Sequence, residues 1–211
     1  MRRSVDAIRR AYEHRGPLLQ ELAQSLQSEL LRYLKDEDVP HVDRVHFRCK
    51  GVESFVDKAI SIHEDGSYKY AHPFEEIEDQ VAGRVLVFYR PDIEAVLRAL
   101  EGKWPKAEQE HRCPAKASQF DYETTHRICV ITADQFPPGW SQMERPPTTF
   151  ELQIRTLAQH AWAEPQHAFY KNKGGLDGDS ERKLYWAAAS AWGMDSIWEQ
   201  LADELRHIDH E

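Results

Sequence analysis

Cysteine is scarce in this chain, with three in 211 residues, at positions 49, 113 and 129. They are far apart and form no C-x-x-C pair, so neither a disulfide framework nor a thiolate zinc site is expected. Long apolar runs are missing as well. No stretch approaches the roughly 20 residues a bilayer requires, and the opening MRRSVDAIRRAYEHRG lacks the apolar core of a secretory signal. The expectation is an intracellular, cytoplasmic protein without membrane contact. Neither G-x-x-x-x-G-K-[ST] nor H-E-x-x-H occurs, which excludes a P-loop and a zinc-protease helix. An excess of positive charge is lacking too: 27 Lys and Arg stand against 36 Asp and Glu, a formal net charge of −9. Wrapping of duplex nucleic acid, which depends on neutralising phosphates, is thereby disfavoured. The acidity is uneven, however. Residues 174–211 hold three Lys/Arg and nine Asp/Glu, whereas residues 1–58 hold eleven and ten, so a basic pocket can coexist with an acidic tail.

With 41% hydrophobic and 30% charged residues, the chain reads as one globular domain over 1–211. Helical additions are expected over 1–40, a core over 41–173 and a terminal helix over 180–209. PLLQELAQSLQSELLRYL at 17–34 spaces its leucines as an amphipathic helix opened by a proline. VDRVHFRC at 42–49 predicts a strand and VESFVDKAISIH a helix. GRVLVFY at 83–89 is apolar on both faces, as a central strand is, and 91–104 returns as a helix. Strands follow near 106–112 and at 127–133. FELQIRT, ending at Thr156, closes the sheet in chain order. The last helix carries Trp186, Trp192 and Trp198, expected as core or subunit contacts. Strands separated by helices, with helices at both ends, describe an α/β (α+β) fold with a mixed central β-sheet flanked by helices.

Candidate chemistry begins in FELQIR, where Phe150, Leu152 and Ile154 point one way and Glu151, Gln153 and Arg155 the other. A solvated polar face would have the same pattern. The strand leads into a helix bearing His160, Glu164, His167 and Lys171. The first three sit at i, i+4 and i+7 as metal ligands can, but Pro165 is expected to interrupt that turn, which argues against zinc. In RCKGVESFVDK, Lys50, Ser54 and Lys58 recur every four residues after Arg48. A strand end, a glycine, a helix start and several cations make a cradle for a polyphosphate, although four-residue lysine spacing is also common on solvated helices. Asp79 precedes a strand that is apolar on both faces, so it must be paired, with Arg84 as the plain partner, or solvated, or bound to metal. Glu151 offers a second carboxylate, and two oxygen ligands are the usual protein share of a Mg²⁺ that also takes water and phosphate. Tyr122 and His126 flank a loop entering a strand, where a tyrosine can stack on a nucleobase or simply pack.

Taken together, R-x-K-x-x-x-S-x-x-x-K at 48–58, DQVAGR at 79–84, FDYETTH at 120–126 and ELQIRT followed by HAWAEPQHAFYK resemble the synthetase domain of the RelA/SpoT family, over about residues 40–171. LYWAAASAWGMD further on resembles the C-terminal helix of single-domain alarmone synthetases. The resemblance implies a nucleotidyltransferase-like mixed sheet and a monofunctional pyrophosphokinase. Such an enzyme moves the β,γ-pyrophosphate of ATP to the ribose 3′-hydroxyl of a nucleotide acceptor, a GDP or GTP in the leading case. It further implies Asp79 and Glu151 on Mg²⁺, and Arg48, Lys50, Ser54 and Lys58 on ATP and its phosphates. Tyr122 is then expected on the acceptor base and His126 beside its ribose or phosphates, with Arg84, Gln153, Arg155, His167 and Lys171 in support. Where the family loop usually reads G-Y-x-S-x-H, this chain has Asp121 for the glycine, Thr124 for the serine and Glu123 at a commonly basic position. An acid there is expected to disfavour a highly phosphorylated acceptor. Toxin-like relatives, which act on adenosine nucleotides or the tRNA 3′ end and are countered by an antitoxin protein, are the alternative within this chemistry. A degenerate nucleotide sensor is the alternative outside it. The N-terminal amphipathic helix and the tryptophan-bearing helix offer surfaces for a homo-oligomer.

Overall fold

The computed structural model describes residues 3–112, 124–170 and 177–208. Helix α1, Val5–Asp36, starts at Ser4, whose hydroxyl accepts from the Ala7 N–H at 3.3 Å. Pro17 therefore lies inside the helix and does not open it. The buried stripe begins earlier than the leucines suggest. Ile8 and Tyr12 are buried in line with Leu19, Leu22, Leu26, Leu30 and Leu34, and buried Arg15 donates to the carbonyls of Glu144 and Arg145. An interior proline costs about 3 kcal/mol. Burying two large side chains, at about 1.5–3 kcal/mol each, offsets that.

Five strands, β1 Val42–Cys49, β2 Val81–Val87, β3 Lys106–Arg112, β4 Thr124–Val130 and β5 Thr149–Thr156, form one mixed sheet in the order β1-β2-β5-β4-β3. β2 and β5 run parallel, and the other three pairings are antiparallel. The last strand in chain order is thus the middle of the sheet, with β2 on one side and β4 on the other. Helices α2 Val52–Ala59, α3 Pro73–Glu76, α4 Arg90–Glu101, α5 Leu157–Tyr170 and α6 Gly178–Ile208 complete the fold. α2 is shorter than its periodicity predicts. The Ser61 hydroxyl donates to the Lys58 carbonyl at 2.7 Å, satisfying an open acceptor at the helix end, and Ile62 then bridges to Tyr68. α5 runs through Pro165 without a break.

One sheet face carries Val45, Phe47, Val81, Val85, Val87, Phe150, Leu152 and Ile154 into a core shared with the buried residues of α1 and α4. Gly83 is fitted to that core: a Cβ on it would lie 2.4 Å from Cζ of Phe47. On the other side, Trp162 and Ala163 of α5 pack on Ala188 of α6. Buried Thr156 donates to the buried Asp195 carboxylate at 2.7 Å, tying the end of β5 to α6. Trp186, Trp192 and Trp198 are exposed and do not belong to the core. Among the described residues no helix is long and apolar enough to cross a membrane.

Candidate active site

The strand register explains how distant residues meet. β1 ends at Cys49 opposite Val81, the first residue of β2, and the Lys50 N–H donates to the Gln80 carbonyl at 2.9 Å. Residues just past β1 and just before β2 are therefore apposed. Gln80 is fully buried, and its side-chain amide donates to the Phe74 and Ile77 carbonyls at 2.9 and 3.1 Å, which fixes the turn that presents Asp79. Lys50 Nζ donates to Asp79 Oδ2 at 2.6 Å and Lys58 Nζ to Oδ1 at 3.0 Å, so each carboxylate oxygen has its own ammonium. Asp79 thus pairs with the two lysines. Arg84, the partner that sequence proximity suggests, is instead ion-paired with Glu164.

β2 and β5 pair with Ala82 opposite Glu151, which brings Glu151 to the same end of the sheet as Asp79. His126 of β4 lies across from Gln153, and its Nδ1 bonds Oε1 of Glu151. An ionised carboxylate only accepts, so Nδ1 carries the hydrogen. Gln153 Nε2 donates to the same oxygen at 3.3 Å, and the guanidinium of fully buried Arg155 donates to Gln153. The polar face of FELQIR is thus a relay of hydrogen bonds directed at Glu151.

Burial alone would raise the Asp79 carboxyl, but the Lys50 and Lys58 ammonium groups overcome it and hold the pKa below the ordinary range. Burial likewise opposes ionisation of Glu151, and the hydrogen bonds from His126 and Gln153 hold it low. For Lys58, burial is outweighed by Asp79, and the ammonium form is favoured. Glu78 behaves oppositely. Its carboxyl is pushed up by burial and then by the charge of Glu108.

A cavity of about 170 Å³ joins these groups, lined by Lys58, Glu78, Asp79, Glu108, Glu110, His126, Ile128 and Glu151. Across the open face of the sheet, register sets Arg48, Ala82, Glu151, Ile128 and Glu108 in one row, and His46, Arg84, Gln153, His126 and Glu110 in the next. Charge therefore changes sign along the face, cationic at β1 and β2 and anionic at β3. Asp79 and Glu151 face one cavity, both held ionised, and no group of three metal-ligating side chains is formed among the described residues; that pair suits a cation that takes its remaining ligands from water and phosphate.

Not every expected residue joins this group. The side chains of Arg48 and Ser54 are exposed and make no ion pair or hydrogen bond among the described residues. Arg84 contacts His160 and Glu164 of α5 rather than Asp79. Burial and the Arg84 charge lower the His160 pKa, so this histidine is occupied with an arginine. Tyr122, Lys171 and the side chain of His167 lie outside the described residues. Glu78 and Glu108 were not singled out by motif. Alternation along β3 puts Glu108 and Glu110 on one face, but only the pairing with β4 shows that this face is the cavity.

A family model described as the region found in RelA / SpoT proteins matches residues 47–175. The chain belongs to this family. A comparison with curated proteins found no match. Among solved structures, small alarmone synthetase 1 from Bacillus subtilis is similar, with a TM-score of 0.75 and 22% identity over 93% of this chain and 98% of that one. The same protein bound to its product pppGpp gives a TM-score of 0.71 and 22% identity, covering 92% of this chain and 97% of that one. A GTP pyrophosphokinase family protein from Streptococcus pneumoniae gives 0.73 and 22%, covering 93% and 94%. The chain thus shares the fold of small alarmone synthetases.

Proposed function

We propose that this protein is a monofunctional ATP:nucleotide 3′-pyrophosphokinase, which moves the β,γ-pyrophosphate of ATP to the ribose 3′-hydroxyl of GDP or GTP and makes a (p)ppGpp-type alarmone. The observation that carries this reading is that Asp79, ion-paired with Lys50 and Lys58, lines one cavity together with Lys58 and the Glu151–His126 pair. Family membership and the pppGpp bound by a protein of the same fold support it. In the reaction a bond forms between the 3′-oxygen and the β-phosphorus, the bond from that phosphorus to the α,β-bridging oxygen breaks, and AMP leaves. The proton of the hydroxyl passes to Asp79 or Glu151. Such transfer depends on in-line positioning and on offsetting charge at the phosphates.

Lys50 and Lys58 hold Asp79 ionised until a polyphosphate arrives, and their ammonium groups then turn to the phosphates. Asp79 and Glu151 are the residues that would hold a divalent cation, Mg²⁺ in this reading, and the ion would offset charge on the bridging oxygens. His126 and Gln153 orient Glu151. On the open face, ATP belongs at the cationic β1–α2 side. The acceptor belongs on the β4–β3 side, and by the family resemblance Tyr122 is the residue assigned to its base.

The test is AMP release from labelled ATP with Mg²⁺, offering GDP, GTP, adenosine nucleotides and deacylated tRNA as separate acceptors, with Glu151→Gln in parallel. Release with a guanosine nucleotide, lost in a variant that still melts cooperatively, is expected. Turnover unchanged in Glu151→Gln would remove Glu151 from the site. Release with only adenosine nucleotides or tRNA would establish the toxin-like alternative. Nucleotide-dependent stabilisation with no AMP would make the protein a sensor.

A further inference from the structure

In-line attack puts the incoming hydroxyl opposite the leaving group. With the ATP phosphates at Lys50 and Lys58, the acceptor must approach Glu151 from the other side, across β4 toward β3. Glu108 stands there, in the same register row as Glu151 and two strands away, about 10 Å at ordinary strand spacing. That is the distance over which a nucleoside reaches from its 3′-oxygen to its 5′-phosphates. Glu78, from the turn before β2, lines the same cavity. Neither acid has an ion-pair partner among the described residues, and no three ligating side chains there are arranged to hold a metal ion. Their charge therefore faces whatever enters.

We infer that Glu108, backed by Glu78, is a specificity-determining residue that ranks acceptors by the charge on their 5′ side. A nucleoside monophosphate is favoured over the diphosphate and the triphosphate least. The inference rests on the pyrophosphokinase reading for its orientation, and it follows from repulsion between like charges across a partly solvated cavity.

The experiment measures kcat/KM for GMP, GDP and GTP at fixed ATP and Mg²⁺, in the unmodified protein and in Glu108→Gln, with Glu78→Gln as a second variant. The GTP-to-GMP ratio is expected to rise at least about tenfold in Glu108→Gln, the factor for two added charges about 5 Å from one carboxylate screened as in water. That gain should shrink on raising salt from about 0.05 to 0.5 M, which an effect on folding would not produce. A ratio that stays within twofold in both variants would overturn the inference while leaving AMP release, and so the parent reading, intact. If no acceptor yields AMP, the parent reading fails, and equilibrium binding of the same three nucleotides decides the charge ranking: tightest for GMP supports it, tightest for GTP refutes it.

Discussion

Lys50 and Lys58, the lysines proposed to meet ATP, are both committed to one carboxylate in the free protein, and this makes Asp79→Asn an informative perturbation. The pairs measure 2.6 and 3.0 Å, with side-chain exposures of 18% for Lys50, 34% for Lys58 and 19% for Asp79. A buried charge-assisted hydrogen bond contributes about 1.5–3 kcal/mol. With this much solvent contact a value of about 1 kcal/mol per pair is appropriate. Any phosphate that recruits the lysines must first displace Asp79. Asparagine keeps one weak acceptor, so the substitution removes about 1 kcal/mol of competition, and metal-free ATP should bind about fivefold tighter. Turnover should move the other way. If Asp79 is one of two carboxylates on the metal, as proposed, its loss removes several kcal/mol of transition-state stabilisation, about a thousandfold in rate. Two ammonium groups left without their carboxylate should lower Tm by about 2–8 °C. Calorimetric titration with ATP in EDTA, AMP release with Mg²⁺, and a thermal melt read the three effects. If ATP affinity and turnover fell together, the idea that Asp79 holds the lysines in check would be wrong.

Gly83→Ala should cost about 1–3 kcal/mol by overpacking, because the new methyl meets the Phe47 ring, itself packed 5.7 Å from the Phe150 centroid. Adding Phe47→Leu should recover part of the loss in denaturant melts, and strictly additive effects would refute the clash. Acid should also destabilise the fold through the site. Asp79 and Glu151 have folded pKa values depressed below their unfolded values of about 4. Their contribution to stability is therefore complete above about pH 5 and is lost as pH falls through the depressed values. Tm should drop between about pH 5 and 3, and less steeply in Glu151→Gln than in the unmodified protein. Equal slopes would show that Glu151 is not stabilised in the folded state.

Local pattern was enough to reveal a good deal of this protein. Alternation in FELQIRT identified a strand with one apolar and one chemical face, and the fold bears this out, with Phe150, Leu152 and Ile154 in the core and Glu151 directed at His126. The mixed sheet with flanking helices follows from strands of this kind separated by amphipathic helices. Helix limits were less legible. Neither Pro17 nor Pro165 ends a helix; around Pro17, burial of Ile8 and Tyr12 on one side and of the leucines on the other outweighs the lost hydrogen bond. What periodicity cannot carry is neighbourhood. It says which way a side chain points and nothing about which strand lies beside it. Lys50 and Asp79 are 29 residues apart, and they meet because β1 and β2 are antiparallel with matching ends. Glu151 stands level with Asp79 because β5 pairs in parallel with β2 at the sheet's centre, and Glu108 becomes part of the cavity only through the β3–β4 register. Local runs of residues set the kinds of chemical group and the faces that bear them. Long-range strand pairing, set by the shared core and not by any local run of residues, decided which of those groups work together.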